Sequence, residues 1–197
     1  MENPFSPGYF GSDELRAMGF RSVGDGVRVA KNCTIIGLEN IDLGDHCRID
    51  GFCTIAASGA GSLVIGRYVH IHTSVVIGCR GGVTIGNYTG ISHGCHVLSA
   101  SDDFSGRWMT SSTLPEGMTN PKVAAVTIGR HVPIGVGCSI MPGVTIGDGA
   151  AVLCHSVVSR DLPPWMMCSG APAIARIQRS QRVLALADEL EARAAVA

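Results

Sequence analysis

The stretch VTIGRHVPIGVGCSIMPGVTIGDGAAVLCHSVVSRDL, residues 126–162, carries an aliphatic residue at every sixth position: Ile128, Ile134, Ile140, Ile146, Val152 and Val158. A helix repeats its buried face about every 3.6 residues and a strand about every 2, so a count of six fits neither alone. It fits a chain that lays down a short strand, turns a corner and repeats. Run back toward the N-terminus, the same count picks out Val23, Val29, Ile35, Leu43, Ile49, Ile55, Ile65, Ile71, Ile77, Ile85, Ile91 and Val97. The series then holds eighteen positions, every one Val, Ile or Leu.

Every third of these aliphatics precedes glycine: Val23-Gly24, Leu43-Gly44, Ile65-Gly66, Ile85-Gly86, Ile128-Gly129 and Ile146-Gly147. Three hexads therefore make one coil with three faces, and six coils span residues 23–165. Extra residues fall only at the end of the third face: two before Leu43, four before Ile65, two before Ile85 and about 25 before Ile128. A corner that alone accepts insertions faces outward. Stacked coils pair as parallel strands roughly 4.8 Å apart, which makes a prism roughly 25–30 Å tall with the aliphatics on its axis. The expected fold is an all-β solenoid of about six three-sided coils, with a long loop, 101–125, leaving coil four.

Cys33, Cys47, Cys53, Cys95 and Cys138 fall at the fifth place of their hexads, where the chain turns and a small residue is wanted. A thiol there is a small buried hydrophobe, and neither a disulfide nor a metal ligand is expected of it. Cys79 and Cys154 stand elsewhere in their hexads, and Cys168 lies beyond the coils. The open ends of a solenoid need covers. Within the N-terminal segment 1–22, SDELRAMGF (12–20) reads as a short helix with Ser12 as N-cap. Within the C-terminal segment 166–197, RSQRVLALADELEARAA (179–195) has helical apolar spacing at Val183, Leu184, Ala187 and Leu190, for packing on the coils or on a neighbouring subunit.

Composition agrees. The chain has 197 residues, 46% of them hydrophobic, with 26 glycines and 5% aromatics, a mix that favours short strands and tight turns. A net charge of −1 gives no reason to expect nucleic acid as a partner. No apolar run approaches the ~20 residues of a membrane span. MENPFSPGYF lacks a basic region followed by an apolar run, so a cytoplasmic protein with reduced thiols is expected.

Beyond their period, residues 126–173 carry the run IMPGVTIG at 140–147, SVVSRD at 156–161 and GAPA at 170–173. With the [LIV]-G repeats, these resemble the hexapeptide-repeat acyltransferases, and among them the maltose and galactoside O-acetyltransferases and the capsule and O-antigen sugar acetyltransferases. The resemblance covers roughly residues 23–175. It implies a left-handed parallel β-helix, acetyl-CoA as acyl donor, no metal, and a homotrimer with active sites between subunits. The acceptor it implies is a sugar or nucleotide-linked sugar, in polysaccharide or glycan precursor synthesis. For the donor it points to Gly135, Ser139 and the 152–160 region including Ser159, with Arg160 near the phosphates and Gly170, Ala171 and Pro172 near the adenine. Two residues depart from the pattern. Ala171 replaces the usual Asn, and Ile174 replaces the usual base, leaving Arg176 or Arg179 to supply the charge.

Acyl transfer needs a proton acceptor and a donor for the developing oxyanion. The resembling sugar acetyltransferases place a histidine early in the loop, where VLSASDDFSGRW (97–108) has Asp102. Three readings stay open. Asp102 or Asp103 takes the role, well suited to accepting from an ammonium. Alternatively a histidine of the coils takes it, from His70, His72, His93 and His96. By the coil count Asp50, His72 and Ser92 share one place on the second face, an Asp–His–Ser ladder with His93 beside it. In the third reading these are solvated ladder residues, and the base is absent or comes from the substrate. His72, His93 and Asp102 are thus the catalytic candidates. Asp50, Ser92, His96 and Asp103 are candidates for holding the acceptor. Trp108 suits stacking on a sugar and Arg107 suits an anionic group. His46, His131 and His155 are read as surface residues.

The leading function is transfer of acetyl to a sugar hydroxyl, with N-acetylation of a nucleotide-linked amino sugar as the near alternative. A γ-class carbonic anhydrase-like zinc protein, suggested by His72, His93 and His96, and a non-catalytic trimeric scaffold are the more distant ones.

Overall fold

A computed structural model describes residues 5–194. The outermost residues of both terminal segments, including the last residue of the expected C-terminal helix, lie outside it. The hexad count reappears as strand register. On the first face Val23 pairs with Leu43, then Ile65, Ile85, Ile128 and Ile146. The second face runs Val29, Ile49, Ile71, Ile91, Ile134, Val152 and Cys168. The third runs Ile35, Ile55, Ile77, Val97, Ile140 and Val158. Every one of these pairings is parallel, so the protein is a three-sided β-solenoid. A bridge from Ile146 to Leu162 and the pairing of Val152 with Cys168 extend the stack to about seven turns.

The core is the column of these aliphatics. Ile49, Ile71, Ile91, Ile134 and Ile146 are all at most 1% exposed. Residues at the fifth place of the hexads fill the inner corners, and their polar hydrogens find carbonyls of the next coil. Cys47 donates to Gly66 O at 2.9 Å, Cys53 to His72 O at 3.0 Å and Thr89 to Gly129 O at 2.8 Å. Burial pushes the Cys47 thiol up to about 11 and the Cys79 thiol up to about 12, so both are protonated and unreactive near neutrality. All eight cysteines are free, and Cys154 alone is exposed.

Two details differ from the sequence reading. Helix α1, Ser12–Ala17, is capped by Gly11, whose N–H reaches the Glu14 carboxylate at 2.9 Å. Ser12 instead accepts from the Val27 N–H at 2.9 Å and ties α1 to the first coil, with Leu15 buried as its plug. The second difference is His131, which is only 8% exposed. The fourth place of each first-face hexad is a left-handed corner, φ 55–61° at His46, Tyr68, Tyr88 and His131. These four stack on successive coils, with ring centroids 4.7, 5.5 and 4.8 Å apart. Above them Gly149, φ 68°, leaves room for Trp165, whose ring would lie 2.3 Å from a Cβ at that position. Tyr88 and Arg67 of this edge hold Glu191 of helix α2, Val183–Ala194, the ion pair to Arg67 measuring 2.6 Å. Glu191 thus ties α2 to the coils, although no residue of the helix is buried and Leu184 and Leu190 stay exposed.

Candidate active site

The second face carries a dense polar cluster. Asp50 is 8% exposed, and both its oxygens are engaged. Oδ1 accepts from Tyr9 Oη and from Arg48 Nε, each at 2.7 Å, and Oδ2 lies 2.8 Å from His70 Nε2. Tyr9 arrives on the strand Tyr9–Gly11, which pairs antiparallel with Arg28–Ala30. Burial works against the charged form of Asp50, yet the bonds from Tyr9, Arg48 and His70 hold its carboxyl down at about 2.

The ring of His70 lies 3.8 Å from that of His72, and His72 lies 4.7 Å from His93. His93 Nδ1 is 2.8 Å from Thr73 Oγ1. Burial, reinforced by the neighbouring His70 and His93, pushes the His72 imidazole below its ordinary value, so it is neutral at pH 7 and can accept a proton. The coil count places Asp50, His72 and Ser92 in one column, since their N–H groups bond to Ile71, Ile91 and Ile134 in turn. The carboxylate, however, bonds His70, two residues earlier on the same strand. Ser92 Oγ makes no hydrogen bond among the described residues. His96 stands apart on the third face, exposed and without a ring contact to the cluster.

Asp50, His70 and His72 bring three ligand-type atoms within 4.8 Å of one another. With both Asp50 oxygens taken by Tyr9, Arg48 and His70, the carboxylate is satisfied by the protein itself.

The loop leaves at the other edge of the third face. Ser99 Oγ donates to Gly78 O at 2.7 Å, and Ser99 O accepts from Ala124 N–H at 3.0 Å, which pins the two ends of the loop together. The short hairpin of Ala100–Ser101 with Lys122–Val123 forms its stem. Asp102 is exposed, and its carboxylate has no partner among the described residues. Asp103 accepts from Ser105 N–H at 2.7 Å, and Ser105 holds its carboxyl below the ordinary range. Arg107 and Trp108 project from the loop, Trp108 being 43% exposed. No hydrogen bond, ion pair or ring contact joins this loop to the histidine cluster among the described residues. Below the stem the third face opens into a cleft of about 580 Å³, walled by small residues including Ala56, Gly78 and Ala100, which the repeat count does not single out.

On the later coils Gly135 passes so close to Cys154 that a Cβ would lie 2.6 Å from its backbone nitrogen. Ser139 is half-buried on the third face, and Ser159 and Arg160 are exposed beyond it. Gly170, Ala171 and Pro172 form the turn between Met166–Gly170 and Ala173–Gln178. Arg176 Nε lies on Ser169 Oγ at 3.2 Å. Arg179 donates to the carbonyls of His131 and Gly149 at 2.6 and 2.9 Å, so it anchors the C-terminal segment and leaves Arg160 and Arg176 as the cations facing outward.

No family model matches the chain. Its sequence is 37% identical to dTDP-4-amino-4,6-dideoxy-D-glucose acyltransferase of Escherichia coli, over 90% of this chain and 92% of that protein. The chain belongs to the hexapeptide-repeat acyltransferases. Like other hexapeptide-repeat acyltransferases, it is an enzyme that uses acyl-CoA. It is 30% identical to the putative lipopolysaccharide biosynthesis O-acetyl transferase WbbJ of E. coli, over 68% of this chain and 67% of that one. Among solved structures, the N-acyltransferase AntD from Bacillus cereus, in complex with dTDP-4-amino-4,6-dideoxyglucose and coenzyme A, superposes with a TM-score of 0.89. The two are 32% identical over 94% of this chain and 98% of AntD.

Proposed function

We propose that this acyltransferase moves an acetyl group from acetyl-CoA to the amino group of a nucleotide-linked amino sugar. The observation that carries the reading is Asp102 where the resembling O-acetyltransferases have histidine. A sugar amine arrives largely as an ammonium, which a carboxylate can bind and orient; a sugar hydroxyl needs a stronger base. The likeness to two acyltransferases of dTDP-4-amino-4,6-dideoxyglucose supports this acceptor class. In the solved AntD variants the residues replaced are a serine and an aspartate ten positions apart. Ser92 and Asp102 are the only serine and aspartate with that order and spacing in this chain.

The chemistry then has three parts. Asp102 pairs with the ammonium, and a proton passes from it to solvent or to neutral His72. The freed amine attacks the thioester carbon, forming C–N, while Ser92 Oγ donates to the developing oxyanion. The C–S bond breaks, and the thiolate of CoA takes up the second proton of the amine. Ser92 and Asp102 leave the prism at opposite edges of the third face, so one chain alone does not bring them together. The site is therefore shared between subunits of a homotrimer, the loop of one protomer reaching the second-face corner of its neighbour. A soluble, cytoplasmic location follows from these two substrates. Among the described residues, no helix is long and apolar enough to cross a membrane.

O-acetylation of a sugar hydroxyl is the second reading, favoured by the similarity to WbbJ and by a His72 that is neutral at pH 7. Measuring CoA release with a dTDP-linked 4-amino sugar and with its 4-hydroxy counterpart separates the two. Turnover of the amine alone is expected. Turnover of the hydroxyl sugar alone overturns the proposal.

A further inference from the structure

The outward residues at the start of each second-face strand run Arg28, Arg48, His70 and Gly90 on coils one to four. Arg28 and Arg48 lie against one ring, their guanidinium carbons 4.6 and 5.1 Å from the Tyr9 centroid. Two like charges held on a single aromatic ring repel each other unless counter-charge is near. Among the described residues Asp50 is the only carboxylate bonded within this group, and it is shared among Tyr9, Arg48 and His70. Asp13 and Glu14 border the same groove as Arg28. Asp13 pairs with Arg16, however, and Glu14 accepts from Gly11. Arg28 makes no ion pair among the described residues, and the side chain of Arg48 is 46% exposed. Directly above, a Cβ on Gly90 would meet nothing within 4 Å, so the surface is open beside Ser92.

We propose that Arg28 and Arg48, clamped by Tyr9 and bordered by His70, form the cradle for the diphosphate of the nucleotide-linked acceptor. This rests on the acceptor class proposed above. The strip lies two to three coils below Ser92, roughly 10–14 Å by strand spacing, a span of the order of a hexose ring and its phosphate ester. The open surface at Gly90 receives the sugar. The donor, if held by Gly135, Ser139 and Arg160 on coils five and six, approaches from the opposite direction. The two substrates thus meet end to end at coil four. Guanidinium groups suit this task because they grip phosphate oxygens in pairs and stay charged.

The test is calorimetric binding of dTDP, thymidine and CoA, separately, to the wild-type protein and to Arg28→Gln, Arg48→Lys and Arg28→Glu. Weakening of dTDP binding by about tenfold or more in Arg28→Glu is expected, with a smaller loss in Arg28→Gln and in Arg48→Lys, which keeps the charge but loses the fork. CoA and thymidine affinities should stay within about twofold. If wild-type protein binds dTDP and all three variants bind it equally, the cradle is elsewhere and the proposed acceptor class still stands. If wild-type protein binds no dTDP and acylates a sugar that carries no nucleotide, both readings fall. A drop in melting temperature with unchanged dTDP affinity assigns the two arginines to anchoring the N-terminal strand and overturns the cradle.

Discussion

Asp50 accepts from Tyr9, Arg48 and His70 at once, and this one carboxylate organises the lower part of the second face. Its folded-state value of about 2 lies below the ordinary 3.8, so the folded protein binds fewer protons than the unfolded chain in that range. The resulting stability, on the order of 2 kcal/mol, is complete above pH 4 and is lost as pH falls through about 2. Thermal melts of wild-type and Asp50→Asn proteins should converge across that window and stay apart above it. His72 carries the same sign higher up, because its imidazole is also depressed: its contribution is present above pH 6.5 and shrinks as pH falls below that value. At the proposed transfer point, Ser92→Ala and Asp102→Asn should each lower kcat by about 10²-fold or more, with circular dichroism unchanged. Unaltered kcat in both would remove these residues from the chemistry.

At the scale of elements, each short strand depends on its coil neighbours, since two or three residues cannot form a strand alone. Ile71 is 0% exposed and sits between Ile49 and Ile91. Ile71→Ala should destabilise the protein by about 2–5 kcal/mol, whereas Thr84→Ala, outward on the first face, should cost less than about 0.5 kcal/mol in the same urea titration. The ring column sets a different limit. Gly149→Ala introduces a Cβ where the Trp165 ring lies, at a left-handed φ of 68°, and should cost about 1–3 kcal/mol. A melting temperature equal to wild type would show that Trp165 can step aside. This column is visible in the sequence once the register is known, because His46, Tyr68, Tyr88 and His131 all hold the fourth place of a first-face hexad. The hexad count draws attention to the first and fifth places, where burial is strongest, and so passes over it.

For the whole molecule, the decisive question is whether the site is shared between chains. Ser92 follows a second-face strand and Asp102 follows a third-face strand, and no contact between loop and histidine cluster spans the gap among the described residues. Mixing Ser92→Ala and Asp102→Asn subunits should therefore restore activity, to about a quarter of wild type at equal amounts with random assembly. Each variant alone remains inactive. Absence of any recovery in a mixture shown by mass spectrometry to contain hybrid trimers would place the whole site on one chain.

The order of the coils, their register and the corner that bears the loop were all legible in the sequence. An aliphatic at every sixth residue leaves one arrangement in which all of them are buried, and a slip of one residue would expose a whole column. The candidate site was legible only as a neighbourhood. Counting put Asp50, His72 and Ser92 in one column, but side-chain direction decided that Asp50 bonds His70. Only the folded chain brings Tyr9 onto Arg28 and Arg48, because an antiparallel strand from the N-terminus obeys no hexad. A repeat determines where backbones stack; the partners of polar side chains depend on which non-repeating segments fold back against them.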